Sequence, residues 1–178
     1  MKRIIAFFIL TLMIFSLCAC EKKDEIPETT HHEHQVTEET LPEGKVAGQI
    51  YAVFGNESDC STEFICNEKV TPSRICAGLT GWTGLKFRTS VTVDEENKKI
   101  TIEWLEDSSF FSGTAPETQK EPFIFENVET LRLFMLNSLT KSIEANLGEY
   151  EIFFSVTGKD ISDFGLNGVS ADTPFTTK

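Results

Sequence analysis

VTPSRICAGLTGWTGLKFRTSVTVDEENKKITIEW, residues 70–104, changes its hydrophobic period halfway along. In the first half Ile75, Leu79 and Trp82 recur at the spacing of one helix face. Thr71 is a good N-cap, Pro72 suits the first helical position, and Gly81 and Gly84 supply the stop. In the second half Phe87, Thr89, Val91 and Val93 alternate with polar residues. Asp94-Glu95-Glu96-Asn97 then reads as a turn, and Ile100, Ile102 and Trp104 line one face of a return strand. A helix followed by a β-hairpin is the expected unit.

Working toward the C-terminus, residues 106–122 read as a long loop carrying Phe110 and Phe111. Loops of that length are usually functional or disordered. A long helix is expected from Val128 to Leu147. Asn127 caps it, Glu129 sits in its first turn, and Gly148 lies just past its end. Its apolar stripe is Val128, Leu131, Met135, Leu139 and Ile143, widened by Phe134 and Leu136. EYEIFFSV (149–156) follows as a strand, and the tail turns at Gly158, Gly165 and Gly168. Toward the N-terminus, VAGQIYAVF (46–54) is β-like with Ile50, Ala52 and Phe54 on one face, followed by the turn-rich GNESDC (55–60). The chain has no internal repeat. The expected fold class is α+β: a small sheet of about four strands with two helices packed on one face. The long helix should lie over Trp104 and Phe153 or Phe154.

The first 44 residues have a different character. MKRIIAFFILTLMIFSLCAC (1–20) has a basic start at Lys2 and Arg3, an apolar run from Ile4 to Leu17, and Leu17-Cys18-Ala19-Cys20 at its end. The run fits a signal peptide and is short for a membrane span of ~20 residues. Leu17-Cys18-Ala19-Cys20 looks like a bacterial lipobox, so residues 1–19 are expected to be removed and Cys20 to take lipid on its sulfur. One acyl chain holds a protein only marginally, whereas two make a stable anchor. Residues 20–44 then form a lipidated cysteine and an acidic tether. Its composition leaves almost nothing to bury, and as a flexible coil it would span roughly 25–30 Å. Residues 45–178 are the single folded domain. The protein is thus expected at the cell membrane, lipid-anchored on the extracytoplasmic side.

Charge and residue inventory exclude several functions. The whole chain carries a net charge of −12; loss of Lys2 and Arg3 with residues 1–19 leaves 14 basic against 28 acidic residues, a net of −14. Nucleic acid, which requires a basic face, is not an expected partner. All three histidines, His31, His32 and His34, lie in the tether, where HHEH is a solvated linker. The folded part therefore has no Ser–His or Cys–His pair. It also has no phosphate loop, no HExxH and no CxxC. No cofactor, metal or catalytic residue is assigned. Paired carboxylates are the remaining route to an enzyme, and Glu103, Glu106 and Asp107 at a strand end are the candidates. Among Cys60, Cys66 and Cys76, two readings stand side by side. Either Cys60 and Cys66 form one disulfide, or all three stay reduced and pack as small hydrophobes. Cys76 belongs on or near the buried face of the first helix. Trp82 and Trp104 read as core.

The order helix, strand, strand, helix, strand resembles the GerMN domain of sporulation and spore germination proteins. The matching segments are VTPSRICAGLTGWTGLKF (70–87), SVTVDEENKKITIEW (90–104) and LRLFMLNSLTKSIEANLGEYEIFFSVTGKDISDFG (131–165). Thr157-Gly158-Lys159 stands where that family closes a strand on a "DGK" turn, and LNGVSADTPF (166–175) is similar to the family's ending. The chain departs from the pattern in the long segment 106–122 and in an extra strand and cysteines before residue 70. The resemblance implies a compact α+β module similar to ring-building units of envelope-spanning complexes. It implies binding or assembly with an envelope protein or cell-wall partner, with sporulation or germination as the setting, and it brings no catalytic residues. The expected function is a non-catalytic envelope lipoprotein. The alternative is a small carboxylate-dependent cell-wall glycan hydrolase.

Overall fold

The computed structural model describes residues 41–55, 59–113 and 119–177. They form an α+β fold with five strands. These are β1 (Lys45–Ala52), β2 (Cys60–Asn67), β3 (Thr89–Asp94), β4 (Lys99–Trp104) and β5 (Glu151–Val156). Helix α1 spans Pro72–Thr83, the one-turn helix α2 Ser109–Ser112, and the long helix α3 Val128–Leu147.

The caps read from the sequence form as expected. Thr71 accepts the Arg74 N–H, Pro72 opens α1, and Gly84 ends it in the left-handed region at φ 80°. Gly81 lies inside the helix and does not stop it. Asn127 accepts the Thr130 N–H at the start of α3. The hairpin β3–β4 pairs Thr89 with Trp104 through Asp94 with Lys99, and β5 joins β4 in parallel. Ile100, Ile102 and Trp104 are buried on one face of β4, beside Ile152, Phe154 and Val156 of β5. With Ile75 and Leu79 of α1 and Leu131, Met135, Leu139 and Ile143 of α3 they make one core. Val128, expected in the α3 stripe, is exposed.

Two features differ from the sequence expectation. The strands divide between two sheets, β1–β2 and β3–β4–β5, where one was expected. STEFICN, 61–67, was not read as a strand, yet it pairs antiparallel with β1 along its whole length. The second sheet cannot extend through β1, because the outer edge of β1 is occupied by α3. Ser138, Ser142 and Asn146 of that helix accept the backbone N–H groups of Val53, Tyr51 and Gln49, each at 2.9 Å. Asn146 also returns a hydrogen bond to the Gln49 carbonyl at 2.6 Å. The match is metric. Four residues of helix rise about 6.0 Å and two residues of strand about 6.8 Å, so side chains at i, i+4 and i+8 meet every second N–H of an antiparallel strand.

Residues 106–113 of the expected loop form structure instead. Ser108 caps α2, Phe110 is fully buried, and its ring stacks on Trp104 with centroids 4.8 Å apart. Arg132 of α3 fastens it by donating to the carbonyls of Phe110 (2.8 Å) and Phe164 (3.0 Å).

Candidate functional site

Cys20, His31, His32 and His34, with the expected signal segment and most of the expected tether, lie outside the described residues. The three carboxylates do not gather around a cleft. Glu103 stands on β4 opposite Ser90, Glu106 is exposed, and Asp107 accepts from Arg88 Nε at 3.1 Å in an exposed ion pair. None of them lines a cavity described below.

The Cys60–Cys66 pairing is corrected by the strand that contains it. The two cysteines occupy opposite parts of β2, facing Ala52 and Val46 of β1. Six residues of strand separate their Cα atoms by about 20 Å, whereas a disulfide needs about 4.4–6.8 Å. Both are free thiols, as is Cys76. Cys60 is exposed, and its thiol pKa is raised by partial desolvation and by Asp59. Cys76 is buried on α1 with Sγ 3.4 Å from Thr89 Oγ1. Burial pushes its pKa up to about 11, against the lowering effect of the Thr89 contact. Among the described residues no group of three His, Cys, Asp or Glu side chains is placed to hold a metal ion. No described helix is long and apolar enough to cross a membrane.

Two surface features carry recognition chemistry. The first is a cleft of about 400 Å³ where the chain enters α3. Phe54 and Phe125 give it an aromatic side, Pro122 and Ile124 an apolar one, and Glu126 a charge. Its aromatic residues are held from behind: Phe54 and Phe125 each pack on Phe134, at 4.9 and 4.8 Å between centroids. Ile124 is 54% exposed and Val128 40%, so apolar surface continues out of the cleft. Exposed Glu121 and Glu129 adjoin its lining residues Pro122 and Thr130. An apolar floor with an acidic rim suits a partner segment that presents an apolar side chain flanked by basic ones.

The second is the outer edge of β3. The Leu105 N–H donates to the Arg88 carbonyl, which sets the alternation of the β3–β4 ladder. Ser90, Thr92 and Asp94 therefore face β4, and the backbone N–H and C=O groups of Thr89, Val91 and Val93 point away from it. Beside them run two hollows between β3 and α1, of about 380 and 400 Å³, both bordered by Ser73. Small α1 side chains, Ala77 and Thr80, border one; Val91, Val93, Leu147 and Tyr150 border the other.

The sequence signal for the cleft was present in the alternation of Phe123 and Phe125 with Ile124. It carries no weight there because residues 123–126 fall between the expected loop at 106–122 and the expected helix from Val128, and belong to neither. The edge is not marked by any motif and emerges only from the pairing of β3. Comparison with family models, with curated proteins and with solved structures finds no match for this chain.

Proposed function

We propose that this chain is an extracytoplasmic lipoprotein, anchored through a lipidated Cys20, whose GerMN-like domain is a non-catalytic binding and assembly module of the cell envelope. The observation that carries the binding role is the cleft of Phe54, Pro122, Ile124, Phe125 and Glu126, with Ile124 standing 54% exposed at its mouth. Large exposed apolar side chains that continue into a preformed aromatic cleft are a mark of protein recognition. The acidic rim selects an envelope protein segment carrying Lys or Arg beside an apolar residue. The anchor and the tether would keep that cleft within the tether's reach of the membrane.

A photo-crosslinking residue at position 124 of the full-length protein, expressed in its own cells, tests this reading. A discrete protein adduct that disappears on Phe125→Ala is expected. Recovery of lipid alone, or of no adduct, refutes the binding role. The anchor is tested separately: Cys20→Ser should move the protein from the membrane fraction to the soluble fraction and abolish incorporation of labelled palmitate. Retention of label in that variant refutes lipidation at Cys20.

A further inference from the structure

We infer that the outer edge of β3 is a self-pairing surface, on which a second copy of this chain adds its own β3 antiparallel about a two-fold axis at Val91. This goes beyond the binding role proposed above and does not depend on the partner of the aromatic cleft.

The geometry of the edge requires an extended backbone as its occupant. Thr89, Val91 and Val93 present three outward N–H and C=O pairs, and among the described residues none has a hydrogen-bond partner. TSVTVD has no Lys, Pro or Gly and no bulge, the usual devices that blunt a strand edge. Charge then selects the occupant. With Val91 opposite its symmetry mate, Thr89 meets Val93, Ser90 meets Thr92, and Arg88 meets Asp94 of the other copy. The Arg88–Asp94 pair occurs twice by symmetry, and no like charges face one another within the strand. This register also uses all three outward residues, the most the strand offers. The side chains of Thr89, Val91 and Val93 lie on the core-facing side, opposite Trp104, Ile102 and Ile100, so those of the incoming strand enter the hollows beside α1.

The outer edge of β2 shows the contrast among the described residues. On β2 the residues turned away from β1 are Ser61, Glu63 and Ile65, since Tyr51 and Gln49 opposite them bond to α3. The equivalent two-fold pairing of β2 would set Glu63 against Glu63, which is repulsive. Self-complementarity is thus a property of β3.

The test uses the full-length protein in detergent, followed by sedimentation velocity over a range of concentrations. A reversible monomer–dimer equilibrium is expected. Val91→Pro should give a monomer with an unchanged far-UV spectrum, because the N–H it removes points away from β4 and serves no bond within the chain. Arg88→Glu, which reverses two intermolecular pairs at once and also gives up the exposed Arg88–Asp107 pair within the chain, should weaken dimerisation by about tenfold, whereas Asp107→Asn, which removes only the intrachain pair, should not weaken it. Position 91 supplies a direct check that does not depend on the proline variant folding. With Cys60 and Cys66 replaced by Ser, Val91→Cys should form an intermolecular disulfide under mild oxidation, as facing hydrogen-bonded residues have Cα atoms about 5.5 Å apart. A protein that stays monomeric at every concentration overturns the inference. So does a dimer that gives no crosslink through position 91, or one that survives Val91→Pro.

Discussion

Replacing Ser142 by Ala should loosen the join between α3 and β1 while leaving both elements individually intact. The Ser142 hydroxyl is buried, accepts the Tyr51 N–H at 2.9 Å and donates to the Ser138 carbonyl at 2.6 Å. The donor bond is local to the helix and is lost at little cost, since that carbonyl also takes part in the helical ladder. The accepted bond is different. Tyr51 N–H faces away from β2 and has no strand to turn to, so its loss leaves a partly buried donor unsatisfied. An unsatisfied buried donor costs about 1–3 kcal/mol, and the better helix propensity of Ala returns up to about 0.5 kcal/mol. The expected net loss is about 0.5–2.5 kcal/mol, measured as a shift of the urea midpoint with unchanged slope, followed by Trp fluorescence and far-UV circular dichroism. Lys141→Ala, an exposed neighbour on the same helix, is the control and should stay within about 0.5 kcal/mol of the parent. Because Ser138 and Asn146 continue the same ladder, Ser138→Ala combined with Ser142→Ala should not be additive. If Ser142→Ala is as stable as the parent, the helix is not serving as the missing neighbour of β1, and the account given for the split into two sheets fails.

Three further outcomes follow from local geometry. A Cβ at Gly48 would stand 2.5 Å from the Phe64 ring and 3.0 Å from Asn146 Oδ1, and the same ring is packed on Gly78, so Gly48→Ala should destabilise by about 1–3 kcal/mol and Phe64→Leu should recover part of that in a double variant unfolded in urea. The native thiols should titrate unequally with a chromogenic disulfide near pH 8: Cys60 reacts in the folded protein, whereas Cys76, buried with its pKa pushed up to about 11, reacts only in denaturant, and absence of a free Cys60 would contradict the strand assignment. Asp94 has its pKa lowered by the Asn97 side chain and backbone, and Asp160 by the Ser162 backbone. Their contribution is present above the ordinary carboxylate pKa of about 3.9 and is lost as pH falls through the lowered folded values. The urea midpoint should therefore drop on acidification below about pH 4, and Asp94→Asn should flatten part of that drop.

What could be read from the sequence followed the strength of each local signal. Thr71-Pro72, Asn127 and the Gly84 and Gly148 stops fixed both long helices to within a residue, because capping is a local hydrogen-bond requirement. The hairpin was legible because period two and a polar turn coincide at 89–104. β2 was hidden because its inner side chains, Thr62, Phe64 and Cys66, are only half buried and its turn-like prelude dominated the reading. The split into two sheets was invisible for a deeper reason. Ser138, Ser142 and Asn146 appear in sequence as polar interruptions of an amphipathic helix, and their meaning depends on a strand some 90 residues away. Phe110 was misplaced in a loop because nothing adjacent to it announces that Trp104 will stack on it. The aromatic cleft suffers the same non-locality, drawing Phe54 from one end of the domain and Phe125 from beyond its middle.

The edges of the two sheets then explain how such a chain avoids indiscriminate strand pairing. The outer edge of β1 is closed by the α3 ladder. That of β5 receives the C-terminal segment, where the Phe175 N–H donates to the Ile152 carbonyl. That of β2 carries Glu63 at its centre. Among the described residues only β3 is left both open and free of a repulsive centre, and its two ends, Arg88 before it and Asp94 at its last position, carry opposite charges. An edge guarded in this way discriminates by register: a shift of two residues in either direction loses an outward backbone pair and takes Arg88 away from Asp94. If Cys20 confines the chains to one membrane face, as proposed, the two β3 strands meet at a local concentration far above that in solution, so a pairing of a few hydrogen bonds and two symmetric Arg88–Asp94 ion pairs can be populated without a large apolar interface. The aromatic cleft lies at the entry to α3 and is lined by different residues from the β3 edge, so pairing through β3 consumes none of the surface proposed to hold the envelope partner.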